Sequence, residues 1–150
     1  MTSTTAGMIG LRLAHPALSG LVGLFVWAAA TAFAHPDLAE PGEEGLTLGN
    51  WVTLVMIALF GYLIACAIGT WGWSGSSRRC AAVAVSLSVA SLVVVIAPWS
   101  GWPNIFGATA LGLAAERRRR AGRLTPGSLL AGVLGAGAFT AATVWSAFFP

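Results

Sequence analysis

WVTLVMIALFGYLIACAIGT, residues 51–70, decides the fold class. These twenty residues contain no charged side chain. As an α-helix they reach about 30 Å, the thickness of a bilayer's hydrocarbon core. No soluble core helix needs so long an unbroken apolar run. The rest of the chain agrees: 57% of its 150 residues are hydrophobic and 9% are charged. A soluble domain carries about 25% charged residues, too many for this chain to imitate. The expected fold is all-α, an integral membrane helical bundle forming a single membrane domain.

Four more apolar segments flank residues 51–70. They run over about 17–34, 80–97, 102–115 and 128–149. Segment four has about 14 residues and reaches only about 21 Å, so it must snorkel, thin the bilayer or fold back. Pro98 and Pro103, with Ser100 and Gly101 between them, predict a helix break and a tight hairpin before it.

The charges predict the orientation. All eight cations are arginines. The extracytoplasmic loop 35–50 holds Asp37, Glu40, Glu43 and Glu44 and no cation. Arg12 precedes segment one, Arg78 and Arg79 precede segment three, and Arg117, Arg118, Arg119, Arg120 and Arg123 follow segment four. With five crossings every arginine falls on one side, which the positive-inside rule makes the cytoplasm. The expected location is a bacterial cytoplasmic membrane, N-terminus inside and C-terminus outside. Ala32-Phe33-Ala34 also fits a signal-peptide cleavage pattern. Cleavage there leaves four segments instead of five and keeps loop 35–50 outside. Six tryptophans (Trp51, Trp71, Trp73, Trp99, Trp102, Trp145) lie near segment ends, as indole prefers the interface.

The net charge of +3 does not indicate nucleic acid, because the arginines are topological. Near the surface they also attract anionic lipid headgroups, so membrane lipids are the first expected partner. No Asp, Glu, Lys, Arg or His falls inside any of the five segments, and Glu116 beside Arg117 reads as interfacial. Proton-coupled carriers generally need such a group. No nucleophile–base or paired-carboxylate set assembles on one side, so an enzyme is not expected. The acidic loop lacks regular metal-ligand spacing, Cys66 and Cys80 read as packing residues, and no cofactor is implied.

Packing is better marked. Gly61, Ala65 and Gly69 repeat at four-residue intervals, as do Ser128, Gly132, Ala136 and Thr140. Such rows let backbones approach, within one chain or between copies. From Cys80 onward the order is an apolar helix, the turn APWSGWPN, the short segment IFGATALGLAAE, the knot RRRRAGR and the Gly/Ala-rich LLAGVLGAGAFTAATVW. This layout over residues 80–148 resembles an uncharacterised family of small multi-pass Gly/Ala-rich membrane proteins of high-G+C bacteria. The resemblance implies no activity and lends no functional residues. The expected role is a structural or accessory subunit that packs with itself or with a larger membrane protein. The alternative is an oligomeric channel or facilitator for a small solute. Its polar candidates are Asn50, Thr53, Asn104, Thr109, Thr140 and Thr143.

Overall fold

The computed structural model describes residues 15–34 and 48–148. Arg12 and residues 35–47, most of the acidic loop, lie outside that range. The described residues form five α-helices and two single 3₁₀ turns, with no strand among them. They are α1 (Pro16–Ala34), α2 (Leu48–Ser74), α3 (Ser77–Val93), α4 (Trp102–Ala121) and α5 (Pro126–Phe148). Among the described residues four stretches are long and apolar enough to cross a membrane: α1, α2 from Gly49, α3 with its following turn to Ile96, and α5.

Contacts between elements give the directions. On α1, Gly20 lies against Thr109 and Gly23 against Asn104 and Ile105, so α1 runs antiparallel to α4. Cys80 lies beside the Leu113 carbonyl and Ser91 donates to the Pro103 carbonyl, so α3 is antiparallel to α4 as well. Gly135 faces Gly107, and Asn104 donates to Thr143, which sets α5 the same way. Only α2 is parallel to α4, with Gly61 at Trp102 and Gly69 at Thr109. Successive helices therefore alternate in direction, and the other four surround α4.

The turn between α3 and α4 is the hairpin expected from its prolines. Val94–Ile96 and Pro98–Ser100 are 3₁₀ turns, and Gly101 at φ +73° starts α4 with Pro103 in its first turn. A side chain at Gly101 would be strained by that φ and would also meet the Trp27 ring at 2.8 Å.

Segment four differs from its expected length. The helix does not stop near Ala115 but continues through the arginines to Ala121, twenty residues in all. Arginine and alanine are good helix formers, and Gly122 at φ +64° ends the helix in a left-handed cap. The added residues are Glu116, four arginines and Ala121, so the apolar part of α4 is still the short stretch up to Ala115. Twelve of its residues are buried, among them Asn104, Thr109 and Glu116.

The packing faces are built from small residues. α2 buries Ala58, Gly61, Ala65, Gly69 and Gly72, while Met56, Phe60 and Leu63 point outward. α5 buries Ser128, Ala131, Gly135, Ala138 and Ala142. Gly132 is only half-buried, with open space where a Cβ would stand, and Ala136 is exposed. The row that meets α4 thus alternates steps of three and four. A strict four-residue row advances 400° per step and drifts about 40° around the helix each time, whereas alternating steps hold the seam in place.

This gives a paired test. A Cβ at Gly23 would stand 2.4 Å from the Asn104 carbonyl oxygen, and one at Gly132 would meet nothing within 4 Å. Gly23→Ala is expected to destabilise by about 1–3 kcal/mol through overpacking. Gly132→Ala is expected to be neutral or to gain up to about 1 kcal/mol of helix propensity. Thermal unfolding of the two variants in mild detergent checks both, and equal midpoints would contradict the packing described.

Candidate functional site

Among the described residues, charge and aromatic rings are most concentrated where α2 ends, α3 begins and α4 ends. It is organised by Glu116, whose carboxyl follows the apolar stretch of α4 by one position and is 1% exposed. Glu116 is among the most buried polar side chains, covered by protein at the arginine end of α4. Arg119 holds it with two bonds, Nε to Oε2 and Nη2 to Oε1, each 2.7 Å. Arg120 donates Nε to Oε1 at 2.6 Å. Both arginines reach back three or four residues along the same helix, the spacing at which side chains meet.

Arg120 has a second role. Its Nη1 donates to the Gly75 carbonyl at 3.0 Å and its Nη2 to the Trp73 carbonyl at 2.6 Å. Those carbonyls lie at the C-terminal end of α2, where intrahelical donors have run out and the helix carries partial negative charge. One guanidinium thus ties a buried carboxylate of α4 to the open end of α2. It also lies over the Trp73 ring, 5.6 Å from the centroid, and His15 packs on the same indole at 5.4 Å. Arg79 stacks over Trp71 at 4.7 Å. Cation–π contacts of this kind contribute about 0.5–1 kcal/mol at exposed sites.

The seven described arginines therefore fall into different classes. Arg120 spends its Nε, Nη1 and Nη2 on Glu116 and the end of α2. Arg119 shares its Nε and Nη2 with Glu116 and leaves Nη1 outward. Arg79 lies on an indole. Arg78, Arg118 and Arg123 are exposed at the surface. Arg117 is half-buried, with its Nε unpartnered. An open groove of about 460 Å³ is lined by Ala115, Arg118, Arg119 and Gly122.

The polar side chains weighed for a pore do not line one path. Thr109 donates to the Ile105 carbonyl and Thr143 to the Phe139 carbonyl, each within its own helix. Asn104 is fully buried and spans α4 to α5 by its bond to Thr143 at 2.7 Å. Asn50 and Thr53 lie on the exposed start of α2, and Thr140 on the exposed face of α5. Cys80 is buried and Cys66 half-buried, and both are free thiols. Among the described residues no three His, Cys, Asp or Glu side chains are grouped to hold a metal.

Sequence reading missed the role of Glu116. The available signal was its spacing, since Arg119 and Arg120 stand at the third and fourth positions after it. What the spacing does not show is the end of α2 lying close enough to cover the carboxylate.

Glu116→Gln is expected to cost about 1.5–3 kcal/mol at neutral pH, the range for hydrogen bonds to a charged group. Unfolding midpoints of the two proteins in mild detergent check this, and equal midpoints would contradict the assignment.

No family model, no curated protein and no solved structure matches this chain.

Proposed function

We propose that the chain is a multi-pass membrane protein that crosses five times and serves as a structural or accessory subunit, packing with itself or with a larger membrane partner. The observation that carries this reading is the division of labour among the helices. Four apolar helices turn large side chains outward, including Phe25, Phe60, Met56, Val133 and Phe148, each well exposed. The polar fifth helix is enclosed by them. Lipid is the solvent that suits such an exterior. The alternating directions of the helices place Arg78, Arg79 and Arg117–Arg123 at one end, which in this reading is the cytoplasmic end.

The non-enzymatic part of the proposal rests on what the polar groups do. Asn104, Ser88 and Ser91 bond to neighbouring helices, and Glu116 holds Arg120, which reaches the end of α2, so each has a packing role. Interhelical bonds of this sort contribute about 0.6 kcal/mol each on average in a membrane protein.

Native mass spectrometry of the full chain from mild detergent tests the role. A stable complex with a second membrane protein, or a defined homo-oligomer, is the expected result. A strictly monomeric chain that turns over a substrate would overturn it. Orientation is checked on a Cys66→Ala/Cys80→Ala background with single cysteines at Ser76 and Trp99. A membrane-impermeant maleimide added to intact cells should label position 99 and leave position 76 unlabelled.

A further inference from the structure

The covering of α4 is interrupted along one line. Leu111 is half-buried, and Ala115, Arg118 and Gly122 are exposed, although the residues around Leu111 from Pro103 to Ala114 are buried. Positions 111, 115, 118 and 122 are spaced by four, three and four, so they share one face of the helix. α1 covers the face of Ile105 and Thr109, and α5 covers Gly107 and Ala110. At 100° per residue the open line falls between those two faces. It begins apolar, at Leu111 and Ala115, and ends in two guanidinium groups. The groove of about 460 Å³ lies at that junction.

We infer that this groove binds one anionic phospholipid, its phosphate between Arg118 and Arg119 and an acyl chain along Leu111 and Ala115. Three observations support it. First, the charge is single-signed: Glu116, the acid nearest the two arginines in sequence, is turned inward and bonded, and the groove itself presents only cations. Second, Arg119 is pre-positioned. Its Nε and Nη2 are fixed on the buried carboxylate, and its Nη1 is left for an anion. A guanidinium already held in place loses less entropy when it binds a ligand. Third, the line continues from the groove's Ala115 to the half-buried Leu111, an apolar strip that suits an acyl chain and not a free phosphate or an acidic protein segment. The partial negative charge at the end of α4, about half a unit, is outweighed by the two full positive charges.

This inference rests on the membrane reading above. The test is native mass spectrometry of the full chain in detergent, titrated with phosphatidylglycerol and with phosphatidylcholine of identical acyl chains. One phosphatidylglycerol should be retained in preference to phosphatidylcholine. Arg118→Gln/Arg119→Gln should weaken its retention about twenty-five-fold, that is about fivefold per arginine. Arg78→Gln/Arg79→Gln removes the same net charge elsewhere and should leave retention within about twofold, because a specific site, unlike a diffuse surface potential, is local. Arg118→Gln alone, which breaks no internal bond, should give the fivefold part even if the double variant folds poorly. Ala115→Phe should block the apolar slot and weaken retention with the charge unchanged. Equal losses from the two double variants, equal retention of the two lipids, or displacement of phosphatidylglycerol by millimolar inorganic phosphate would each overturn the site. Release of the chain from native membranes by alkaline carbonate would overturn the membrane reading instead.

Discussion

The close approach of α1 and α5 to the backbone of α4 is the constraint on which the rest of the architecture depends. Gly23 lies against the Asn104 carbonyl, and the Gly107 and Gly135 backbones face each other. In lipid, helices gain little from hiding apolar surface from one another, so association relies on contact area and interhelical hydrogen bonds. Small residues bring the axes near enough for both. Once α4 is so enclosed, Ser91 reaches the Pro103 carbonyl, Ser88 the Ala131 carbonyl, and Asn104 reaches Thr143. At the wider positions the contacts pass to larger groups. The Trp102 indole fills the space that Gly61 leaves and donates to the Ile57 carbonyl at 2.8 Å.

The end of the molecule that carries the arginines follows from this arrangement. Because α2 runs parallel to α4, both helices expose C-terminal carbonyls at the same end, and two partial negative charges lie side by side. Arg120 answers that unfavourable pairing by bonding to the carbonyls of Trp73 and Gly75 while keeping Glu116 neutralised. The arginine run therefore has an architectural component beside any topological one. Its members are not equivalent, since Arg120 is fully engaged in internal bonds, Arg119 is shared, and Arg118 and Arg123 are exposed.

Much of this was legible in the residues. Long apolar runs, the Pro98–Pro103 break and the row Gly61, Ala65, Gly69 all correspond to features of the structure, because length, proline chemistry and small size act locally. The α5 seam was not legible as a four-residue repeat. In a segment where nearly every position is Gly, Ala or Ser, several rows compete, and only the direction of the neighbouring helix selects Ala131, Gly135 and Ala138. The buried state of Glu116 was hidden for a similar reason. A carboxylate beside four arginines reads as solvated until α2 is known to close over it. The candidate groove on α4 has no local signature, being defined by where the neighbouring helices stop.

The enclosure of α4 bears on how the chain is assembled. In a five-crossing topology, a helix whose twenty residues include Asn104, Glu116 and four arginines has little tendency to partition into lipid alone. Arg120 finds its carbonyl partners at the end of α2, made before it, and Asn104 finds Thr143 on α5, made after it. In that topology such a segment would enter the bilayer as the second limb of a hairpin with α3 and become secure once α5 arrives. The order of synthesis then matters as much as the final contacts. A chain interrupted before α5 would leave its central helix exposed to quality-control proteases.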